Sequence, residues 1–199
     1  MKDFNHFENL YLDKIESKDP YTRKHSNRVS SFSVLIGEKL GMNKEDLELL
    51  RIGSLFHDIG KIGISDNILF KNSELTNDEY TEIKNHTQIG SEFFENSEIF
   101  SNIAPVVKYH HERYDGKGYP ENLTGENIPL FARITAVADS FDAMASNRVY
   151  RNNLDIDFIK NEIRNNRGTQ FDSNVADAFL DIIENNYDEI EKIQKKYEI

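Results

Sequence analysis

Six histidines punctuate a chain that contains no cysteine: His6, His25, His57, His86, His110 and His111. Thiolate catalysis, disulfides and cysteine-rich zinc sites are thereby excluded, and any metal must be held by imidazole and carboxylate. Three groupings could do chemistry. His57 is followed directly by Asp58 at the end of an apolar stretch, SLFHDIGKIG. A neighbouring His and Asp leave a helix in different directions, so both reach one metal cluster only if it lies over or beside the helix end. His110 and His111 are adjacent, flanked by Val106, Val107 and Tyr109, and a partly buried helix leaves two such rings in need of partners. Asp139 and Asp142 lie one turn apart in ARITAVADSFDAMAS, which otherwise reads as core. Buried carboxylates are costly unless paired or metal-bound.

Each grouping also has a plainer explanation. A histidine at a helix C-terminus interacts with the helix dipole, although this leaves Asp58 unexplained. His110 and His111 could be surface residues, and Asp142 could form a buried salt bridge to Arg133 or Arg148. Together, however, several imidazoles and carboxylates without a thiolate suit iron, manganese, zinc or nickel. A carboxylate can bridge two ions, and a two-ion site clamps the attacking and leaving oxygens of a phosphoryl displacement.

The elements that must position these groups are helical almost throughout. Phe4, Phe7, Tyr11 and Ile15 step at helical spacing. A helix follows from about Thr22 to Leu40, with Val29, Phe32, Ile36 and Leu40 on one face and Gly41 as its stop. Asn43 caps the next, with Asp46 three residues on, and that helix breaks near Gly60. The segment KIGISDNILFKNSEL reads as an irregular loop. Thr76 and Glu79 form a capping box that starts a helix carrying His86. Another runs from roughly Ile99 to Arg113. YDGKGYPENLTGENIPL is a loop with room for a short hairpin. The helix from Leu130 to Ser146 is apolar over most of its surface and therefore central. Helices near 155–166 and 173–186 close the domain, and the tail from Tyr187 is charged and expected to fray.

The chain has 199 residues, with 24 Lys and Arg against 35 Asp and Glu, a net charge of −11. That length gives one all-α domain as the economical reading: a first helix over 1–18, a core over 19–186 and a charged tail over 187–199. The acidic balance argues against nucleic-acid polymers and anionic membranes as partners. Neither a signal core nor a membrane-length apolar run is present, so a cytoplasmic location is expected.

At this point the motifs carry a resemblance. His57-Asp58-Ile59-Gly60-Lys61 resembles the HD-x-GK core of the HD superfamily of metal phosphohydrolases. The run from His111 to Pro120, HERYDGKGYP behind His110, looks like the HHExxDGxGYP signature of its HD-GYP branch. DPYTRKHS, the distant His86, VADSFDAMASNRVYR and GTQFD extend the likeness over nearly all of the chain. The resemblance implies an all-α HD-type fold of roughly seven helices or more with a short GYP loop. It implies hydrolysis of the bacterial second messenger cyclic di-GMP to pGpG, GMP or both, by a hydroxide activated between two metal ions. The ligands it implies are His25, His57, Asp58, His86, His110, His111 and Asp139, with Asp58 bridging. Lys61 matches a lysine beside the phosphate, and Arg148 and Arg151 match positions that hold substrate phosphate or guanine. Tyr119 sits in the GYP loop that lines the site, and Asp142 stands ready to orient a ligand or Arg148. Iron or manganese is favoured, with zinc and nickel also compatible.

Departures from the pattern spare the ligands. Tyr21 stands where some three-metal members place a carboxylate, which favours two ions over three. Ser65 and Val149 replace prolines, Asn72-Ser73 replaces Pro-Gly, and Asn122 replaces a common glycine; asparagine tolerates the left-handed region better than most residues. Other readings remain open: another cyclic dinucleotide or nucleotide as substrate, or a non-catalytic binding or docking module. A regulatory protein partner is also open, and oligomeric state is not legible.

Overall fold

The computed structural model describes residues 20–95, 100–146 and 156–197, together with 13, 16 and 18. The expected first helix around Phe4 to Ile15, and Arg148, Val149 and Arg151, lie outside the described residues, as does the side chain of Tyr21. The described residues are predominantly helical and contain no β-strand. None of their helices is long and apolar enough to cross a membrane.

Helix α1, Pro20–Lys39, ends at Gly41, whose φ of 78° is the left-handed stop expected there. Helix α2, Lys44–Leu55, begins where the Asn43 side chain accepts the backbone N–H groups of Glu45 and Asp46. A 3-10 turn over Ile59–Gly63 and a short helix α3, Asp66–Leu69, replace the irregular loop expected after it. Helix α4, Asn77–Lys84, carries the full Thr76/Glu79 capping box. It stops short of His86, which begins a separate helix α5, His86–Glu95.

A 3-10 turn at Ser101–Ile103 leads into α6, Ala104–Tyr109, started by a proline in its first turn. This is shorter than the helix expected to Arg113. The chain turns at His110 because the GYP loop folds back over it: Tyr119 N–H donates to the His111 carbonyl at 3.2 Å. A Cβ on Gly118 would stand 2.5 Å from the Glu112 Cα. The loop contains one isolated antiparallel bridge, Asp115 to Thr124, and a cis Tyr119–Pro120 bond. Asn122 has a φ of 55°, the left-handed conformation its residue type tolerates. Helices α7, Leu130–Ser146, α8, Ile156–Asn165, and α9, Ser173–Asn185, fall close to their expected bounds. The tail does not fray. It forms α10, Tyr187–Lys196, because Ile190 is fully buried in the core.

Two apolar cores result among the described residues. In the larger, Phe32 of α1, Phe141 of α7 and Phe179 of α9 meet edge-on, with centroids 5.1 Å apart for Phe32–Phe141 and 4.9 Å for Phe141–Phe179. The smaller gathers Ile52, Leu55, Phe56, Ile59, Phe94 and Val107 around the end of α2. Between its elements the backbones nearly touch. A Cβ on Gly60 would lie 1.8 Å from the His86 carbonyl oxygen and 2.6 Å from Gly90 N. Gly60→Ala is therefore expected to destabilise the protein by about 3 kcal/mol or more, since backbone cannot yield as a side chain can. A melting temperature lowered by roughly 2–4 °C per kcal/mol is the readout, and an unchanged one would contradict this close approach.

Candidate metal centre

Helix ends supply three of the histidines, and each is oriented in the same way. The last carbonyls of a helix lack intrahelical donors. His57 Nδ1 donates to the Ser54 carbonyl at 2.7 Å, at the end of α2. His86 Nδ1 donates to Ile83 O at 2.7 Å, at the end of α4, and His110 Nδ1 to Val107 O at 2.8 Å, at the end of α6. A carbonyl only accepts, so each ring holds its proton on Nδ1 and presents a lone pair at Nε2. His25, inside α1, is oriented instead by a carboxylate: its Nδ1 donates to Asp142 Oδ2 at 2.8 Å.

These rings converge on Asp58, which lies just past α2. Its Oδ1 is 3.4 Å from His86 Nε2, while its Oδ2 is 3.3 Å from His57 Nε2 and 3.8 Å from His25 Nε2. Two ligand groups thus share this carboxylate: Asp58 with His86, His110 and His111, and Asp58 with His25 and His57. Asp139 completes the second, 3.1 Å from His25 Nε2 and 3.8 Å from His57 Nε2. All seven residues expected to hold metal are brought together, and four of them, His57, Asp58, His86 and His110, are almost fully buried.

The donor set fits divalent cations. His57 Nε2 is buried and has no hydrogen-bond partner among the described residues, a costly arrangement for a polar atom. His86 Nε2 and His110 Nε2 lie 3.4 Å apart with both protons committed to carbonyls, so lone pair faces lone pair. Two nitrogens each about 2.1 Å from one ion, at roughly a right angle, are about 3 Å apart. A cation between them converts repulsion into coordination, and the acceptors behind each ring are those that fix ligating histidines.

Electrostatics separate the two groups. Burial pushes His110 well below its ordinary value, with His111, His57 and His86 adding to the effect. Burial lowers His111 to about 4 against the pull of Asp139, and lowers His86 against that of Asp58. These three rings are neutral at physiological pH, the form that binds metal. At His25 burial again opposes the charge, but hydrogen bonds to Asp139 and Asp142 lift it to about 10. Asp58, which burial alone would make a weaker acid, is held well below the usual carboxylate range by Lys61 and then His57.

Lys61 Nζ sits 2.6 Å from Asp58 Oδ2. Tyr119 stacks on His111, with centroids 4.8 Å apart and planes 27° from parallel. Its phenol is pushed up by burial and stays protonated. Asp142 does form a buried ion pair, though not with Arg133; Arg148, the other arginine expected, lies outside the described residues. Arg133 pairs with Asp172, and Asp142 is gripped by Arg28, at 2.7 Å through Nε and 2.9 Å through Nη2.

Two contributors escaped the sequence reading. Arg28 lies one turn after His25 on α1, a helical spacing that could have marked it. Glu112, read only as part of a motif, is buried and accepts Glu121 N at 2.7 Å and Leu123 N at 3.1 Å, tying the loop that carries Tyr119 to the histidine pair.

Residues 9–175 match the family described as HD domain. The cyclic di-GMP phosphodiesterase response regulator RpfG of Xanthomonas campestris is 40% identical over 168 residues, which are 83% of this chain and 44% of that protein. A cyclic di-GMP phosphodiesterase of Thermotoga maritima is 41% identical over 167 residues, 83% of this chain and 45% of that protein. The chain spans less than half the length of these relatives. Among solved structures, a cyclic GMP-AMP specific phosphodiesterase of Vibrio cholerae superposes with a TM-score of 0.66 at 22% identity, covering 92% of this chain and 50% of that one.

Proposed function

The chain belongs to the HD domain family, and from that premise we propose that it is a metal-dependent phosphodiesterase hydrolysing cyclic di-GMP to pGpG, GMP or both. One observation carries the reading: two groups of inward-facing imidazoles share the single buried carboxylate of Asp58. Similarity to cyclic di-GMP phosphodiesterases at about 40% identity supports the substrate. We assign two divalent ions, iron or manganese ahead of zinc or nickel. One would be held by His86, His110 and His111 and the other by His25, His57 and Asp139, with Asp58 between.

Divalent ions in such a site supply an acidified water and neutralise phosphoryl charge. The chain's residues do the rest. Asp58 and the imidazoles fix the donors, and burial of the site strengthens each electrostatic contact. Lys61 offers its ammonium beside Asp58, where charge develops on the phosphoryl oxygens. Tyr119, stacked on His111, is assigned to contact the substrate. Arg148 and Arg151 are assigned to substrate phosphate or guanine through forked hydrogen bonds. Asp142 orients His25. We place the protein in the cytoplasm, with a small anionic substrate and a regulatory protein partner.

The test is anaerobic purification, metal quantification and chromatography of cyclic di-GMP with iron(II) or manganese(II). A His57→Ala/Asp58→Ala variant runs alongside. Metal-dependent pGpG or GMP, absent from the variant, supports the reading; intact ligand despite bound metal defeats it. About two ions per chain supports the argument from Tyr21, and three overturns it. Lys61→Ala is expected to lower turnover by about tenfold or more while sparing metal content, and equal loss of both would make the lysine structural. A mixed cyclic dinucleotide is the second reading, favoured by 37% identity over 143 residues to a 3'3'-cGAMP-specific phosphodiesterase of Vibrio cholerae. Relative kcat/KM over a nucleotide panel separates the two.

A further inference from the structure

Lys84 lies in the last turn of α4, two residues before His86. Its ammonium stands over two aromatic faces, 4.5 Å from the centroid of Tyr80 and 5.2 Å from that of Tyr119. Tyr119 in turn stacks on His111, so the charge is one ring away from a residue of the metal centre. No Asp or Glu among the described residues pairs with it. Lysines nearby behave differently: Lys61, Lys71 and Lys108 each lie against a carboxylate, as expected in a chain of net charge −11. The distinction matters because an aromatic face holds a cation without neutralising it. An ammonium paired with a carboxylate has part of its charge offset, whereas one between two tyrosines presents it whole to an incoming anion. Tyr80 is half exposed, so this arrangement stands at the surface rather than in the core.

A cyclic dinucleotide brings two phosphodiesters. The metal centre can engage one of them, and the other arrives with its own negative charge and must be met elsewhere. We propose that Lys84, held between Tyr80 and Tyr119, is a positioning residue that binds the substrate's second, uncleaved phosphate, with the exposed face of Tyr80 offering a surface for an adjacent base. The inference rests on the phosphodiesterase reading above. It also yields a selectivity: substrates with a second phosphate gain from Lys84, and simple diesters do not. The plainer role, a lysine favouring the negative end of the α4 dipole, predicts a change in stability and no such selectivity.

The experiment compares cyclic di-GMP with bis(p-nitrophenyl) phosphate, a diester with a single phosphate, on the full chain loaded with manganese(II). For Lys84→Met the ratio of kcat/KM for cyclic di-GMP to that for the simple diester is expected to fall about tenfold or more, with the loss in KM rather than kcat. Lys84→Arg, which keeps the charge, should recover most of it. If the unaltered protein leaves cyclic di-GMP intact, the substrate reading fails on its own. The inhibition constant of cyclic di-GMP against the simple diester then decides the role of Lys84. An unchanged ratio or inhibition constant, equal losses on both substrates, or no inhibition by cyclic di-GMP overturns the proposal.

Discussion

Asp58→Asn is expected to lower diester hydrolysis by more than about a hundredfold, because changes behind a metal ligand already cost 10–100-fold and this residue is shared by both ligand groups. The substitution keeps shape and volume but removes the anion that His86 approaches from one side and His57 and His25 from the other. An amide bridges cations poorly, so bound metal should fall in the same preparation. Folding should survive, because Lys61, the ammonium paired with Asp58, is part-exposed and can turn to water. Elemental analysis, steady-state rates and a thermal melt on one sample decide the matter. Full hydrolysis with full metal content would show that the two ligand groups work independently of the carboxylate between them.

The largest expected effect on stability belongs to Arg28. Its guanidinium is almost fully buried, forks onto both oxygens of Asp142 and reaches Ser146 Oγ at 3.1 Å. Removing the guanidinium leaves buried Asp142 to His25, a cation that Asp139 already shares, so Arg28→Ala should cost about 3–5 kcal/mol. The effect should be strongly non-additive. In a background that already carries Asp142→Asn, the same substitution should cost much less, since no stranded carboxylate remains. Urea unfolding of the two single variants and the double variant measures this coupling. A cost below about 1 kcal/mol for Arg28→Ala would show that water reaches Asp142. Loss of metal is a second expected consequence, because Asp142 orients His25.

Much of the architecture was legible because it is written in local rules. The Asn43 and Thr76 caps, the Gly41 stop, the bounds of α7 and the left-handed Asn122 each follow from residue type and short spacing. What escaped depends on distant parts of the chain. The α6 helix ends early because a loop ten residues further on packs back against Glu112. Residues from Tyr187 onward look like a polar tail until Ile190 meets the core. The grouping of site residues was legible as an ordered series of His and Asp, but spacing alone could not show that Asp58 faces two ways. Arg28 had only its spacing of one helical turn from His25 to mark it, because a lone arginine in a polar helix turn carries no sign of burial. Its partner Asp142 did carry one, through its apolar neighbours, but Arg133, a candidate cation on its own helix, pairs with Asp172 instead.

Three imidazoles of the metal centre take their orientation from a carbonyl three residues earlier in the chain. Their freedom of rotation is therefore surrendered when the helix ends form, during folding, and not when an ion arrives. An ion entering such a site loses little of its binding free energy to the ordering of side chains. The same rigidity makes the cluster a gauge. Ions whose preferred spacing departs from that of the fixed rings cannot recruit them by rotation, so discrimination among metals is built into the stiffness of three helical turns.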